Sequence, residues 1–276
     1  METQKAEIDD NFRIPDALWE HTKALLPVEP PKPKGGRPRN DDRQMLDAVF
    51  YVLRPGIQWK ALPRCLGAGS SVHDRFQAWR KAGVFRAMWA AGLLAYDGAK
   101  GIDWAWQAMD GAMTKAPLGG MGTGPNPTDR AKRGTKRCVL TEGKGVPLAV
   151  VVDGANRNDM KMTAATLDAI VVDRPEPTLD TPQHLALDKG FDYQEVRDAV
   201  AARHYIAHIR ARGEEAAAKR EMPGYRARRW VVERTHSWMN RFRRLLIRWE
   251  KKVENYLAML ELACAFISFR AAKVFG

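Results

Sequence analysis

CVLTEGKGVPLAVVV, residues 138–152, is two apolar runs split by Glu142-Gly143-Lys144-Gly145. Short β-formers on both sides of a glycine-bearing turn predict a hairpin. Reading outward toward the C-terminus, Asn158 or Asp159 is placed to cap a helix through Ile170. His184 to Leu187 (HLAL) predicts a short strand ending at Asp188, and a helix follows from Tyr193 to about Ala202. Tyr205 to Ile209 predicts another strand. Two helices, about 226–250 and 253–272, close the chain. Toward the N-terminus, Trp104 to Met109 (WAWQAM) predicts a strand ending at Asp110, and a basic, Gly/Pro-rich loop covers 117–137. Three strands, then helix, strand, helix, strand, helix, describe an α/β unit around a mixed sheet.

The first hundred residues have another texture. Residues 14–26 read as a short amphipathic helix, with Leu18, Leu25 and Leu26 on one face with Ile14. Residues 28–41 are rich in Pro, Gly and cations and suit neither helix nor central strand. Within them, Arg37 and Arg39 of GRPR resemble an arm that lies in a narrow minor groove. Asp42 to Leu53 predicts a helix, and residues 59–62 a shorter one. Ser71 is placed to cap a third that carries His73, Arg75 and Arg80 away from its apolar Val72, Phe76 and Trp79. Helix, turn, basic helix is the pattern of a major-groove reader. A helix from Phe85 to Tyr96 leads to Asp97-Gly98-Ala99-Lys100-Gly101, where a domain boundary is expected. The organisation is then a helical unit over 1–100 and an α/β unit over 101–276.

The chain has 276 residues, 45% of them hydrophobic, and a formal charge of +12. That composition supports a real core and points to a polyanionic partner. Cys65, Cys138 and Cys264 form no C-x-x-C pair, so neither a zinc site nor a disulfide framework is legible. No run of about 18 apolar residues is present, and METQKAEIDDNF lacks a signal-peptide core. A cytoplasmic protein that meets nucleic acid is expected.

RARRWVVERTHSWMNRFRRLL, residues 226–246, holds seven arginines and one acid, Glu233. On a helix, Val231, Trp238, Phe242, Leu245 and Trp249 share one stripe; Arg229, Glu233, Ser237, Asn240 and Arg244 share the opposite one. A carboxylate displayed among phosphate-binding cations weakens DNA binding unless it has a task, and coordinating a divalent cation is such a task. A salt bridge to Arg229 is the plainer alternative. Asp110 and Asp188 each stand where a strand stops, which is where sites assemble in open α/β sheets and also where Asp-Gly turns are ordinary. Asp153 reads as a turn residue, and Asp159 and Asp192 as helix-entry residues. Asp103 lies at the wrong end of its strand. His208 and Arg210 end the last strand, where a phosphate contact is conceivable. The loop cations Arg130, Lys132, Arg133, Lys136 and Arg137 emerge beside Asp110 and suit DNA near a scissile phosphate.

Four stretches carry a family resemblance: AMDGAMTKA; TGPNPTDRAKRGTKRCVLTEGKGVPLAVVVDGANRNDMKM; LALDKGFD; and RRWVVERTHSWMNRFRRLLIRWEKKVENYLAML. With RPGIQWKALP and SSVHDRFQAWRKAGVF they span nearly the whole chain. The sequence resembles bacterial insertion-sequence transposases of the DDE type, in the insertion sequence 5 family. The resemblance implies a ribonuclease H-like catalytic domain behind a small helix-turn-helix-like domain. It implies Asp110, Asp188 and Glu233 as catalytic and metal-binding acids, with Mg²⁺ or Mn²⁺, two ions, as cofactor. It also implies double-stranded DNA as partner, at terminal inverted repeats and at a target, with a homodimer or larger assembly on DNA. Cleavage and 3′-end joining form the implied activity; a binding-only descendant and a nuclease that does not join are its rivals. In the wider group a Tyr, an Arg, the Glu and a Lys recur at fixed spacing. Here Arg229 fits the Arg, Arg226 stands at the Tyr position beside Tyr225, and Asn240 stands at the Lys position beside Arg241.

Overall fold

The computed structural model describes residues 8–28, 35, 38–209, 220, 228 and 230–276. Asp16–Thr22 (α1) and Asp42–Leu53 (α2) form the first two helices. Asp41 caps α2 by accepting the Gln44 amide, while Met45, Leu46, Val49, Phe50 and Leu53 turn inward. Gly69–Lys81 (α3) buries the expected Val72, Phe76 and Trp79. Its start corrects the sequence reading: Ala68 occupies the cap and Ser71 lies inside the first turn. Gly69 stands there because a Cβ would come within 2.1 Å of the Trp59 carbonyl oxygen. Val84–Lys100 (α4) is a longer, more apolar helix.

The sheet is built from β1 (Trp106–Lys115), β2 (Gly124–Pro125), β3 (Arg133–Glu142), β4 (Pro147–Gly154), β5 (Gln183–Leu187) and β6 (Tyr205–Ile209). β3 pairs antiparallel with β1, β2 and β4; β1, β5 and β6 run parallel. The hairpin of β3 and β4 stands as expected, with Glu142 accepting the amides of Lys144 and Val146 through Oε1 to fix its turn. Two expectations need correction. β1 does not stop at Asp110 but runs five residues further, because Gly111 to Lys115 finds partners in Cys138 to Gly134. The basic loop is correspondingly shorter: its last residues belong to β3, so Lys136 and Arg137 are buried strand residues. Asp153 also lies in β4, opposite Lys136, and pairs with Arg157.

Thr163–Asp168 (α5) and Gln194–Ala201 (α6) follow. Trp230–Asn240 (α7) is shorter than the expected 226–250 helix, and Arg243–Leu245 is a separate 3₁₀ turn. Val231, Phe242 and Leu245 are buried as the stripe required, but Trp249 is exposed and Arg244 is buried. Val253–Ala271 (α8) is apolar on nearly every side. It packs along α4 and also against β4, so the helical leader and the sheet share one hydrophobic core. Gly56, at φ +80°, lets the chain after α2 approach the Arg243–Arg244 backbone; a Cβ there would stand 2.9 Å from it.

Candidate active site

Position on the sheet brings the two aspartates together. Ala108 of β1 pairs with Ala186 of β5 in parallel register. Two residues further along each chain stand Asp110, within β1, and Asp188, one residue past the end of β5; strand alternation sets them toward the same face, at a strand spacing of about 4.8 Å. Asp110 Oδ1 accepts the Gly111 amide at 2.8 Å, and Asp188 Oδ1 accepts the Gly190 amide at 2.8 Å. One carboxylate oxygen of each is thus held by backbone.

α7 lies across β1 and β3 on this face. Thr235 Oγ1 donates to the Gly145 carbonyl at 2.6 Å, and at the other end Arg137 Nη2 donates to Asn240 Oδ1 at 2.7 Å. Val231, Val232, Thr235, His236 and Met239 are buried, which turns Glu233 outward into solvent. Among the described residues its carboxylate has no ion pair; Arg229, the alternative partner, lies outside the described residues. Burial raises the Asp110 carboxyl to about 6, opposed by the Gly111 amide and reinforced by Asp188, Asp159 and Glu233. Three other carboxylates therefore act on Asp110, two of them from its own side of the sheet. Among the described residues no three His, Cys, Asp or Glu side chains close into a ready-made ion cage. The donor set itself, carboxylate oxygens alone, is the hard set that suits Mg²⁺ or Mn²⁺.

Asp159 was expected only to open a helix. Asn158 does the capping, accepting the Met160 amide, and Asp159 pairs with Lys136 at 3.0 Å on the opposite face of the sheet from Asp110. Gly111 leaves room there for Asp159, since a Cβ would come 2.3 Å from Asp159 Oδ1. His236 is buried beside the Asp110 backbone, which partly offsets the effect of burial on its ring. Burial, aided by Arg137, depresses its imidazole to about 3. In sequence His236 reads as a residue that could touch substrate, with a packed or solvated ring the commoner case, and Asp159 carries no sign of the site; their nearness comes from the β1–β3 register and from the lie of α7.

The expected DNA contacts divide into three groups. Arg130, Lys132, Arg133 and Arg241 are exposed. Arg39 lines a broad groove of about 970 Å³ with Lys60, Arg64 and Arg75, at the open start of α3. His73 and Arg80 are half-buried, His73 against Trp59 and Arg80 bonded to Gln77. Others are committed inside the fold. Arg75 pairs with Asp42 and lies over Trp79. Lys136 is bound to Asp159 and Arg137 to Asn240. Arg244 pairs with Glu250 at 2.8 Å and donates to the Ile57 carbonyl, so it joins the leader to the sheet and is not displayed. Arg37, Arg210, Arg226 and Arg229 lie outside the described residues.

Residues 107–267 match the family described as "Transposase DDE domain", and residues 14–89 the one described as "Putative transposase of IS4/5 family". A relative from Burkholderia cepacia, "Putative transposase for insertion sequence element IS402", is 38% identical over 55% of this chain and 70% of its own length. "Insertion element IS402 uncharacterized 16.2 kDa protein", from the same organism, is 33% identical over 41% of this chain and 80% of its own. The solved catalytic domain of Mos1 mariner transposase is 12% identical, with a TM-score of 0.29, over 70% of this chain and 94% of that one. The sheet, with its antiparallel β4-β3-β1 half and parallel β1-β5-β6 half, is ribonuclease H-like. On these sequence matches, over a sheet that carries paired aspartates beneath a glutamate-bearing helix, the chain belongs to the DDE transposases of insertion sequences.

Proposed function

We propose that the protein binds the terminal inverted repeats of its element, hydrolyses a phosphodiester at each end, and directs the exposed 3′-hydroxyl onto target DNA. The observation that carries this reading is the placement of Asp110 beside Asp188 on one sheet face, under the helix that displays Glu233. Bound divalent cations, two on this reading, supply charge neutralisation at the scissile phosphate and at the attacking and leaving oxygens.

Asp110 and Asp188 would hold the ions from the rigid sheet, each already oriented by a backbone amide, and Glu233 would complete the set from α7. Burial, then the like charges of its neighbours, raise the Asp110 carboxyl, so a bound cation would favour its ionised form. The exposed Arg130, Lys132, Arg133 and Arg241 hold phosphates beside the acids. Residues 1–100 act as the end-recognition unit, with the groove of Arg39, Lys60 and Arg64 on DNA backbone. Two ends need two active sites, so a dimer or larger assembly forms on DNA.

The test uses labelled DNA bearing the element's ends with Mg²⁺ or Mn²⁺, scoring binding, cleavage and joining for wild type and Glu233→Gln. Wild type is expected to cut and join while the variant binds and does neither. Binding by both with no cutting under either metal would replace this reading with that of a DNA-binding repressor. Cutting without joining would make it a nuclease.

A further inference from the structure

Outside the carboxylates, one cluster of charge on the molecule lacks an account. A cleft of about 250 Å³ is lined by Arg54, Arg241 and Arg270 over a floor that includes Trp238, Phe242 and Phe266. The three arginines come from three elements: the end of α2, the residue after α7, and the last turn of α8. Arg54 lies 5.1 Å from the Phe242 ring centroid, and its Nη1 donates to the Arg241 carbonyl at 3.4 Å. The Arg243 amide donates to the Arg54 carbonyl at 3.0 Å. These ties hold the cluster together. Yet among the described residues none of the three guanidinium groups has a carboxylate partner.

Each arginine stands at a helix C-terminus, where the macrodipole offsets about half a charge. That explains how three cations tolerate convergence in the isolated chain. It leaves roughly 1.5 positive charges uncompensated, over an aromatic floor that lowers the local dielectric. Burial, then Arg270 and Arg241, pull the Arg54 guanidinium below its ordinary range, in keeping with mutual repulsion.

We infer that Arg54, Arg241 and Arg270 form a binding site for a backbone phosphate of the DNA whose scissile bond lies at the acids. The inference rests on the proposed function and adds where the strand runs. An anion supplies the charge that the cleft lacks. A second copy of a chain with net charge +12 is a poor source of it, and a nucleic acid a good one. Arg241 follows Glu233 by eight residues, which along a helix is about 12 Å. At 3.4 Å of rise per nucleotide, that places the held phosphate roughly three to four nucleotides from the cut. Arg234 lies between Trp230 and Trp238, 4.5 and 4.9 Å from their ring centroids, and continues the cationic, aromatic flank from the cleft back toward Glu233.

The experiment measures end-DNA affinity against salt, in a Glu233→Gln background so that the DNA stays intact. Arg241→Gln/Arg270→Gln removes two exposed charges with little risk to folding, and Lys100→Gln/Lys161→Gln, at exposed lysines away from this flank, is the charge-matched control. The arginine variant is expected to bind about tenfold more weakly near ~0.2 M salt, with a log–log slope shallower by about 1 to 2, while the control keeps the parent slope. If the parent binds and the arginine variant keeps its slope, the site is overturned alone. Displacement of its occupant by inorganic phosphate without a change in slope would make it a free-anion site, and altered self-association with the parent slope would make it a protein contact; both overturn the inference. Failure of the parent to bind end DNA at any salt overturns the transposase reading as well.

Discussion

Arg137 Nη2 donates to Asn240 Oδ1 at 2.7 Å, joining the middle of β3 to the last residue of α7. Arg137 is only 3% exposed. Asn240 stands where the wider family carries a lysine, so here a buried cation reaches that position from the sheet. A lysine at 240 would remove the acceptor and set an ammonium against a buried guanidinium. Asn240→Lys is expected to destabilise the protein by roughly 2–4 kcal/mol and to add nothing to cleavage. Denaturant unfolding checks the first part; a variant as stable as wild type, or more active, refutes it.

Asp110 gives a stability prediction with a definite sign. Its folded-state value of about 6 lies above the ordinary 3.8, so ionisation works against the fold. That cost is absent below about pH 4, grows between pH 4 and 6, and is complete above. Asp110→Asn is therefore expected to abolish cleavage and yet to stabilise the metal-free protein near pH 8 by about 1–3 kcal/mol. Mg²⁺ narrows the difference by stabilising wild type alone. Thermal melts in chelator at the two pH limits decide it: a variant that melts no higher than wild type at pH 8 contradicts the repulsion.

His236 behaves in the opposite sense at acid pH. Burial holds its imidazole near 3 in the fold against 6.5 ordinarily, so the unfolded chain binds the proton first. Stability is complete above about pH 6.5 and is lost as pH falls toward 3, by up to about 4–5 kcal/mol. His236→Phe, similar in shape, is expected to move the acid-unfolding midpoint lower. An unchanged midpoint would mean that the ring is charged or solvated in the fold.

Arg248 is 1% exposed and has no carboxylate partner among the described residues. Instead it donates to the carbonyls of Gly122 and Glu250 and to Thr135 Oγ1, at 2.8 to 3.0 Å, and to the Met121 carbonyl. It thereby holds the 116–125 connection, which carries the exposed Leu118 and Met121, against the end of β1. Arg248→Met leaves several carbonyls unsatisfied and is expected to cost roughly 3 kcal/mol. Limited proteolysis should then cut first within 116–125; a protease-resistant variant of normal stability would show that the carbonyls find other partners.

Sequence alone made much of this visible, and unevenly. α2, the hairpin, β5, β6 and α8 were legible because apolar periodicity and turn residues agree locally. The length of β1 was not: DGAMTK reads as a turn, and only pairing with β3 makes it strand. The break after Asn240 was hidden for the same kind of reason. Arg244 and Arg248 continue a helical, basic pattern, yet each is drawn inward, by Glu250 and by backbone carbonyls respectively. Lys136 and Arg137 were read as surface cations because charge in a Gly/Pro-rich stretch usually is. Asp110, Asp188 and Glu233 stand out by their places at strand ends and on a basic helix, and the family resemblance gives them their implied roles; the register sets the two aspartates side by side.

The packing of α8 on α4 and β4 also bears on how the protein is made. While α8 is still inside the ribosome, the apolar face of α4 and the part of β4 that α8 packs on lie open. The nascent chain cannot close its core until residues 253–271 emerge, so acids laid down earlier stay without a firm scaffold until then. A frameshift or stop codon upstream of that helix would yield an aggregation-prone product, whatever it spared of the acids themselves.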